Sequence, residues 1–204
     1  MKQLISVLML VLAMMVAQAA LAQEEMEDAE ESAEHAMPAP LSEDNWYSWM
    51  AGEWEGETVS THGKMNDWMS CEITLGGQFV VAHYKSKMVS MTKEAMEAMN
   101  ITEEQFAAMK ENLYTGMGVF TVDPQTGKSM NYWFDSMRNI STGEGSRKGN
   151  VETTVWTDAQ NTATRTVEKV SDNELVMTFK GTSNDGMEFS GKTVMKRKAA
   201  MSAR

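Results

Sequence analysis

Few residues in this chain have the chemistry to do more than pack. They are three histidines (His35, His62 and His83), one cysteine, Cys71, an unusual 21 methionines, and isolated charges inside apolar runs. His83 alternates with Phe79 and Val81, Trp133 with Asp135, and Arg165 with Ala163 and Val167. Residues two apart share one face of a strand. If these faces point inward, Asp135 and Arg165 must pair with each other or with a ligand, because an isolated buried charge is costly. His83, Trp133, Asp135 and Arg165 are therefore the candidate ligand-binding residues. An Asp135–Arg165 salt bridge that merely organises the core is the competing reading.

No catalytic residue is assigned. The chain has no Gly-x-Ser-x-Gly elbow, phosphate loop, dinucleotide fingerprint or His-rich metal motif. Asp135 with His83 is a conceivable acid–base pair, but no spacing joins them. An enzyme is not expected. Cys71 alternates with Met69 and Ile73 and reads as a buried small hydrophobe.

The methionines raise a second possibility. Met88 and Met91, then Met96 and Met99, form two Met-x-x-Met pairs. Thioethers suit soft ions such as Cu(I) or Ag(I), and they also consume oxidants. The alternative is that they pack a helical segment. Met88, Met91, Met96 and Met99 are thus the weak metal candidates.

The elements that must position these residues are mostly strands. From Glu53 onward the dominant period is two, with runs at about 53–60, 67–75, 78–87, 116–122, 129–136, 139–146, 150–157, 162–170, 174–182 and 186–197. Turn residues such as Gly76-Gly77, Asp123-Pro124-Gln125-Thr126-Gly127 and Ser183-Asn184-Asp185-Gly186 separate them. About ten short antiparallel strands in a meander predict an up-and-down barrel, because closure removes the sheet edges. A short helical turn over Asn45–Met50, capped by Asp44, precedes the first strand. A helical insertion spans about 90–112, with a capping-box signature at Thr102–Gln105. It would lie where a lid would.

Parity also places an aromatic at one barrel end. In AGEWEGE (51–57), Glu53, Glu55 and Glu57 share one face, so Trp54 takes the other, inward one. In the last strand Arg197 shares a face with Phe189, Thr193 and Met195. Trp54 and Arg197 form the expected barrel-end pair, guanidinium over ring.

Residues 1–22 have the form of a signal peptide: Lys2, the apolar run Leu4–Val16, and small residues at Ala20 and Ala22. The expectation is a bacterial protein exported to the periplasm or secreted. Residues 23–44 read as an acidic, disordered linker with nine carboxylates, 45–198 as the barrel, and 199–204 as a tail. The net charge of -11 disfavours nucleic acid and anionic membrane surfaces. With one cysteine, no intrachain disulfide forms. The expected state is a monomer or weak homodimer.

Gly52, Trp54 and Arg197 resemble the framework of lipocalin and calycin barrels. Four motifs in order, GEWEG at 52–56, LGGQF at 75–79, WFDS at 133–136 and GMEF at 186–189, resemble a bacterial family catalogued as domain of unknown function 1579. The resemblance implies a lipocalin-like barrel and no established activity. A distant similarity to haem-carrying nitrobindins rests on the same Gly-x-Trp-x-Gly start. Their haem ligand lies towards the C-terminus, whereas no histidine follows His83 here, so no haem or other cofactor is expected. The reading is an exported barrel that binds a small apolar or amphipathic ligand. Its alternatives are an envelope protein with a filled core, methionine-mediated metal binding and an oxidant sink. The barrel interior discriminates: a lined cavity favours binding, a filled core the structural role.

Overall fold

The computed structural model describes residues 38–199. The signal-like segment, most of the acidic linker and residues 200–204 lie outside them. Ten strands follow in order: β1 (Gly52–Ser60), β2 (Gly63–Thr74), β3 (Phe79–Met91), β4 (Leu113–Val122), β5 (Ser129–Asp135), β6 (Ile140–Lys148), β7 (Val151–Thr157), β8 (Asn161–Ser171), β9 (Glu174–Ser183) and β10 (Glu188–Arg197). Each pairs antiparallel with its chain neighbours, and β1 pairs with β10, closing the barrel. The fold is the ten-stranded up-and-down barrel read from the alternation. Trp54, Thr58, Thr193 and Met195 are buried inside, while Glu53, Glu55 and Lys196 are exposed.

One end of the barrel is plugged. Helix α1 (Asn45–Met50) is a single short helix whose N-cap, Asp44, accepts from the backbone of Trp46 and Tyr47 at 2.7 and 3.4 Å. Its aromatic side chains each reach a different part of the wall. Trp46 Nε1 donates to Glu152 at 3.2 Å, Trp49 Nε1 to the carbonyl of Asp172 at 3.1 Å, and the Tyr47 hydroxyl meets that of Ser129 at 3.4 Å. Trp49 stacks edge-on with Trp54 at 5.4 Å. Six residues thereby cap an apolar barrel end with most of their polar atoms satisfied.

Arg197 locks this end. Trp54 and Arg197 are register partners across β1 and β10, and the guanidinium sits 4.2 Å from the indole centroid. The same guanidinium donates to the carbonyls of Ala51 (2.5 Å), Trp49 and Asp172 (3.2 Å). Gly52 has φ of 125°, and a Cβ there would stand 2.5 Å from an Arg197 nitrogen. Glycine is required at that position both for the backbone turn and for the arginine.

The ordered domain begins earlier than residue 45. Leu41, in a short 3-10 turn (Leu41–Glu43), is buried in the core, and Asp44 pairs bidentately with Arg147 at 2.7 Å. The end of the acidic stretch is therefore part of the plug, because one leucine and one paired aspartate anchor it. The insertion is also shorter than its composition suggests. Strand β3 continues through Met91. Helix α2 (Lys93–Ala98) then starts at the Thr92 cap, and α3 (Glu103–Glu111) carries the Thr102–Gln105 capping box. It lies at the end opposite the plug, with the β5–β6, β7–β8 and β9–β10 turns.

Candidate functional site

The interior is hollow. A cavity of about 730 Å³ occupies the barrel between the plug and the insertion. A second compartment of about 400 Å³ adjoins it, and the two share Tyr114, Trp133, Arg165 and Phe179. The floor of the larger one is apolar: Met50, Met69, Val167 and Leu175. At its open end stand Met109, Asn112, Leu113 and Met137, contributed by α3, the start of β4 and the β5–β6 turn. Seven methionines line it in all. Unbranched thioether chains make a wall that can adjust to shape.

An aromatic seat shapes the junction. Trp133 packs over its register partner Gly118 and over Gly116, two residues along the same strand, where no side chain stands in the way. A Cβ on Gly116 would stand 2.2 Å from the indole. Trp133 Nε1 donates to the Tyr114 hydroxyl at 3.0 Å, and Tyr114 donates to Asp135 at 3.2 Å. Burial pushes the Tyr114 phenol up to about 12. It remains a neutral donor throughout the physiological range.

Arg165 is the one charged side chain among the described residues that line the larger compartment. Its guanidinium lies 4.7 Å from the Trp156 ring and 5.9 Å from Phe120. Burial pushes its pKa below the ordinary value, against the pull of Glu152, and a guanidinium keeps its charge nonetheless. It takes part in none of the ion pairs among the described residues. Its Nε has no hydrogen-bond partner, and neither have the buried Trp156 Nε1, Asn131 Oδ1 and Ser86 Oγ.

The expected Asp135–Arg165 salt bridge is not formed. Asp135 closes its own turn: Oδ1 accepts from the backbone of Met137 and Asn139 at 2.8 and 3.0 Å, and Oδ2 from the Asn139 side chain at 3.1 Å. An aspartate at a strand end is captured by the turn it starts. His83 is a second correction. It is exposed, because the inward face of β3 is Val80, Ala82, Tyr84 and Ser86. Four apolar residues in succession, Phe79–Ala82, mask the period there. Lys85 and Lys87, which share the parity of His83, mark that face as the outer one. No histidine of the described residues lines either compartment.

Of the four methionines singled out, Met88 lines the cavity, Met91 ends the strand, Met96 is half-buried in α2 and Met99 is exposed at its C-cap. Cys71 is buried, and burial pushes its thiol up to about 12, leaving it unreactive at neutral pH.

Sequence reasoning missed Asp67. It is 1% exposed on the inner face of β2, two residues before Met69. Its carboxylate accepts from the Tyr84 hydroxyl at 2.6 Å and from Thr58 at 2.6 Å, and Thr58 in turn meets Thr193 at 2.5 Å. Burial, then the nearby carboxylate, raises the Tyr84 pKa well above its usual range. The parity with Met69 and Cys71 announces Asp67 as inward; its hydroxyl partners come from two other strands.

No protein-family model matches the sequence, and no curated protein matches it. The fold is similar to that of solved barrels. The S-type phycobiliprotein lyase CPES from Guillardia theta superposes with a TM-score of 0.55 at 8% identity, covering 77% of this chain and 93% of that one. Weaker likenesses include a redesigned β-barrel, mFAP0, solved with DFHBI (TM-score 0.38, 11% identity, 73% and 99% covered). Another is a Nostoc punctiforme protein of domain-of-unknown-function family 3598 (TM-score 0.26, 8% identity, 76% and 100% covered). The protein has the closed, lipocalin-like barrel architecture.

Proposed function

We propose that the protein is an exported barrel that binds a small apolar or amphipathic molecule in its interior. The observation that carries this reading is the cavity of about 730 Å³, floored by apolar side chains and closed at one end by α1. Cavities of roughly 300–1,000 Å³ suit drug-sized ligands. A core serving only stability would be filled to the density of other protein interiors. The similar solved barrel named a phycobiliprotein lyase is a further reason to look for a small molecule in this fold. Export rests on the signal-like residues 1–22. Kinship with family 1579 rests on four motifs that fall at the start of β1, the β2–β3 turn, the end of β5 and the entry to β10.

The test is titration with the uncharged dye Nile red. Saturable fluorescence enhancement is expected. It should be lost in Ala82→Phe, which projects a ring into the cavity from a wall position that is 1% exposed. A dye signal that never saturates, or one that a folded Ala82→Phe protein retains, removes the binding reading.

A further inference from the structure

Given a ligand in the barrel, as proposed above, we infer that it carries one small anionic group, received by Arg165 and Trp156 where the two compartments meet. The wall at this point holds two donor groups without protein acceptors, Arg165 Nε and Trp156 Nε1. They belong to side chains in contact with each other, the guanidinium lying 4.7 Å from the indole. Stacking engages the face of a guanidinium and leaves its edge, where all five N–H bonds lie, free to donate.

Every nearby carboxylate is engaged elsewhere. Glu152, one register step away beside Val167, is held by Trp46 Nε1 and makes no ion pair with Arg165. Asp135 is bound to its own turn. Asp158, also at the edge of the smaller compartment, accepts from the backbone of Gln160 and Asn161 at 2.7 and 2.8 Å. The protein thus places a permanent cation in its interior, with Glu152 near enough to attract it but no carboxylate in an ion pair with it. A desolvated cation is costly unless an anion meets it. A planar guanidinium edge with a neighbouring N–H is the arrangement that recognises a carboxylate or phosphate oxygen pair.

The position of Arg165 also sets the rest of the ligand. Deeper in the barrel the wall turns apolar, with Val167 and Leu175. The ligand class is an amphipath: one anionic head at Arg165 and an apolar body in the larger compartment.

The experiment is calorimetric titration of the full protein with decanoate, decyl phosphate and decanol. At least one of the two anions should bind about tenfold or more tightly than the alcohol, the size of one charge-assisted hydrogen bond. Which anion prefers the site distinguishes a carboxylate from a phosphate head. Arg165→Gln should bring the anions down to the affinity of decanol. Arg165→Lys should keep part of the preference, and Trp156→Phe should weaken it. Decanol binding as tightly as both anions, or an anion preference surviving in Arg165→Gln, overturns the inference. Nile red binding with no anion preference overturns it alone; failure of Nile red and all three alkyl probes overturns the binding reading with it. The wild-type comparison decides the matter should Arg165→Gln not fold.

Discussion

The guanidinium of Arg197 lies 4.2 Å from the ring of Trp54 and reaches three backbone carbonyls, two of them in the plug segment and one in the β8–β9 turn. One side chain therefore joins the first strand, the last strand, the plug helix and a distant turn. A cation–π contact of this kind contributes about 0.5–2 kcal/mol, and a partly buried carbonyl left without its donor costs about 1–3 kcal/mol. Arg197→Met should lower the unfolding free energy by roughly 2–4 kcal/mol on that basis. Arg197→Lys should recover less than half, because an ammonium cannot fork to several carbonyls. Urea denaturation followed by tryptophan fluorescence measures both. A change below about 0.5 kcal/mol, the level of a surface substitution, would show the stack to be ornamental.

Stability should fall steeply at alkaline pH. Burial raises the Tyr47 and Tyr114 phenols from 10.0 to about 12, and the Cys71 thiol from 9.0 to about 12. Each group is neutral when protonated, and its folded pKa lies above its unfolded one. Its contribution is complete below the unfolded pKa and disappears as pH rises towards the folded value. Each therefore removes about 1.4 kcal/mol per pH unit while only the unfolded state ionises. Denaturation midpoints should stay level through neutral pH, begin to fall near pH 9 and collapse between pH 10 and 12. Ultraviolet absorbance should show tyrosinate appearing together with unfolding. Full ionisation of Tyr47 in a still-folded protein near pH 10 would contradict its burial.

Strand alternation is strongly written in this chain because most strands have one solvated and one interior face. Glu53, Glu55 and Glu57 against Trp54 and Thr58 leave one orientation for β1, and Thr102 with Gln105 announces the start of α3 in four residues. Where a strand is apolar on both faces, as over Phe79–Ala82, parity gives no orientation, and the deciding signal lies further along in Lys85 and Lys87. The interior polar network is less legible. Asp67 can be placed inward from Met69 and Cys71, but its bonds to Tyr84 and Thr58 depend on the register of β2 with its two neighbours, and Thr193 joins them only through the closure of β1 on β10. The lone state of Arg165 is harder still. It depends on Asp135 bonding its own turn and on Glu152 bonding Trp46 from a helix more than a hundred residues away in sequence.

Gly116 should matter to the cavity more than its own burial suggests. A methyl group there would overlap the Trp133 ring, 2.2 Å away. The indole would have to swing into the cavity and break its bond to Tyr114. Gly116→Ala should cost about 1–3 kcal/mol, the usual price of overpacking, and should reduce Nile red affinity in a protein that still folds. A crystal structure with Trp133 unmoved and affinity intact would refute the assignment of this glycine to the seat of the indole.

Oxidation provides a map of the cavity from outside. Met137 is 72% exposed, Met99 38% and Met109 37%, while Met195 is fully buried and Met69 nearly so. Peroxide reaches exposed thioethers first, and a sulfoxide turns an apolar chain polar. Peptide mass spectrometry should therefore find Met137, Met99 and Met109 modified early and Met195 last. Met137 and Met109 stand at the open end of the cavity, whereas Met99 does not line it. Saturation with Nile red should slow the oxidation of Met109, Met137, Met88 and Met177 and leave Met99 unaffected, so Met99 serves as an internal control. Dye affinity should decline in step with Met137 and Met109 oxidation, before the tryptophan fluorescence of the plug changes. Equal protection of Met99 and Met88 would mean that the dye merely scavenges peroxide or binds outside the barrel. Early oxidation of Met195 would mean that the plugged end opens in solution, and a ligand could then enter past Trp54 instead of beneath the insertion.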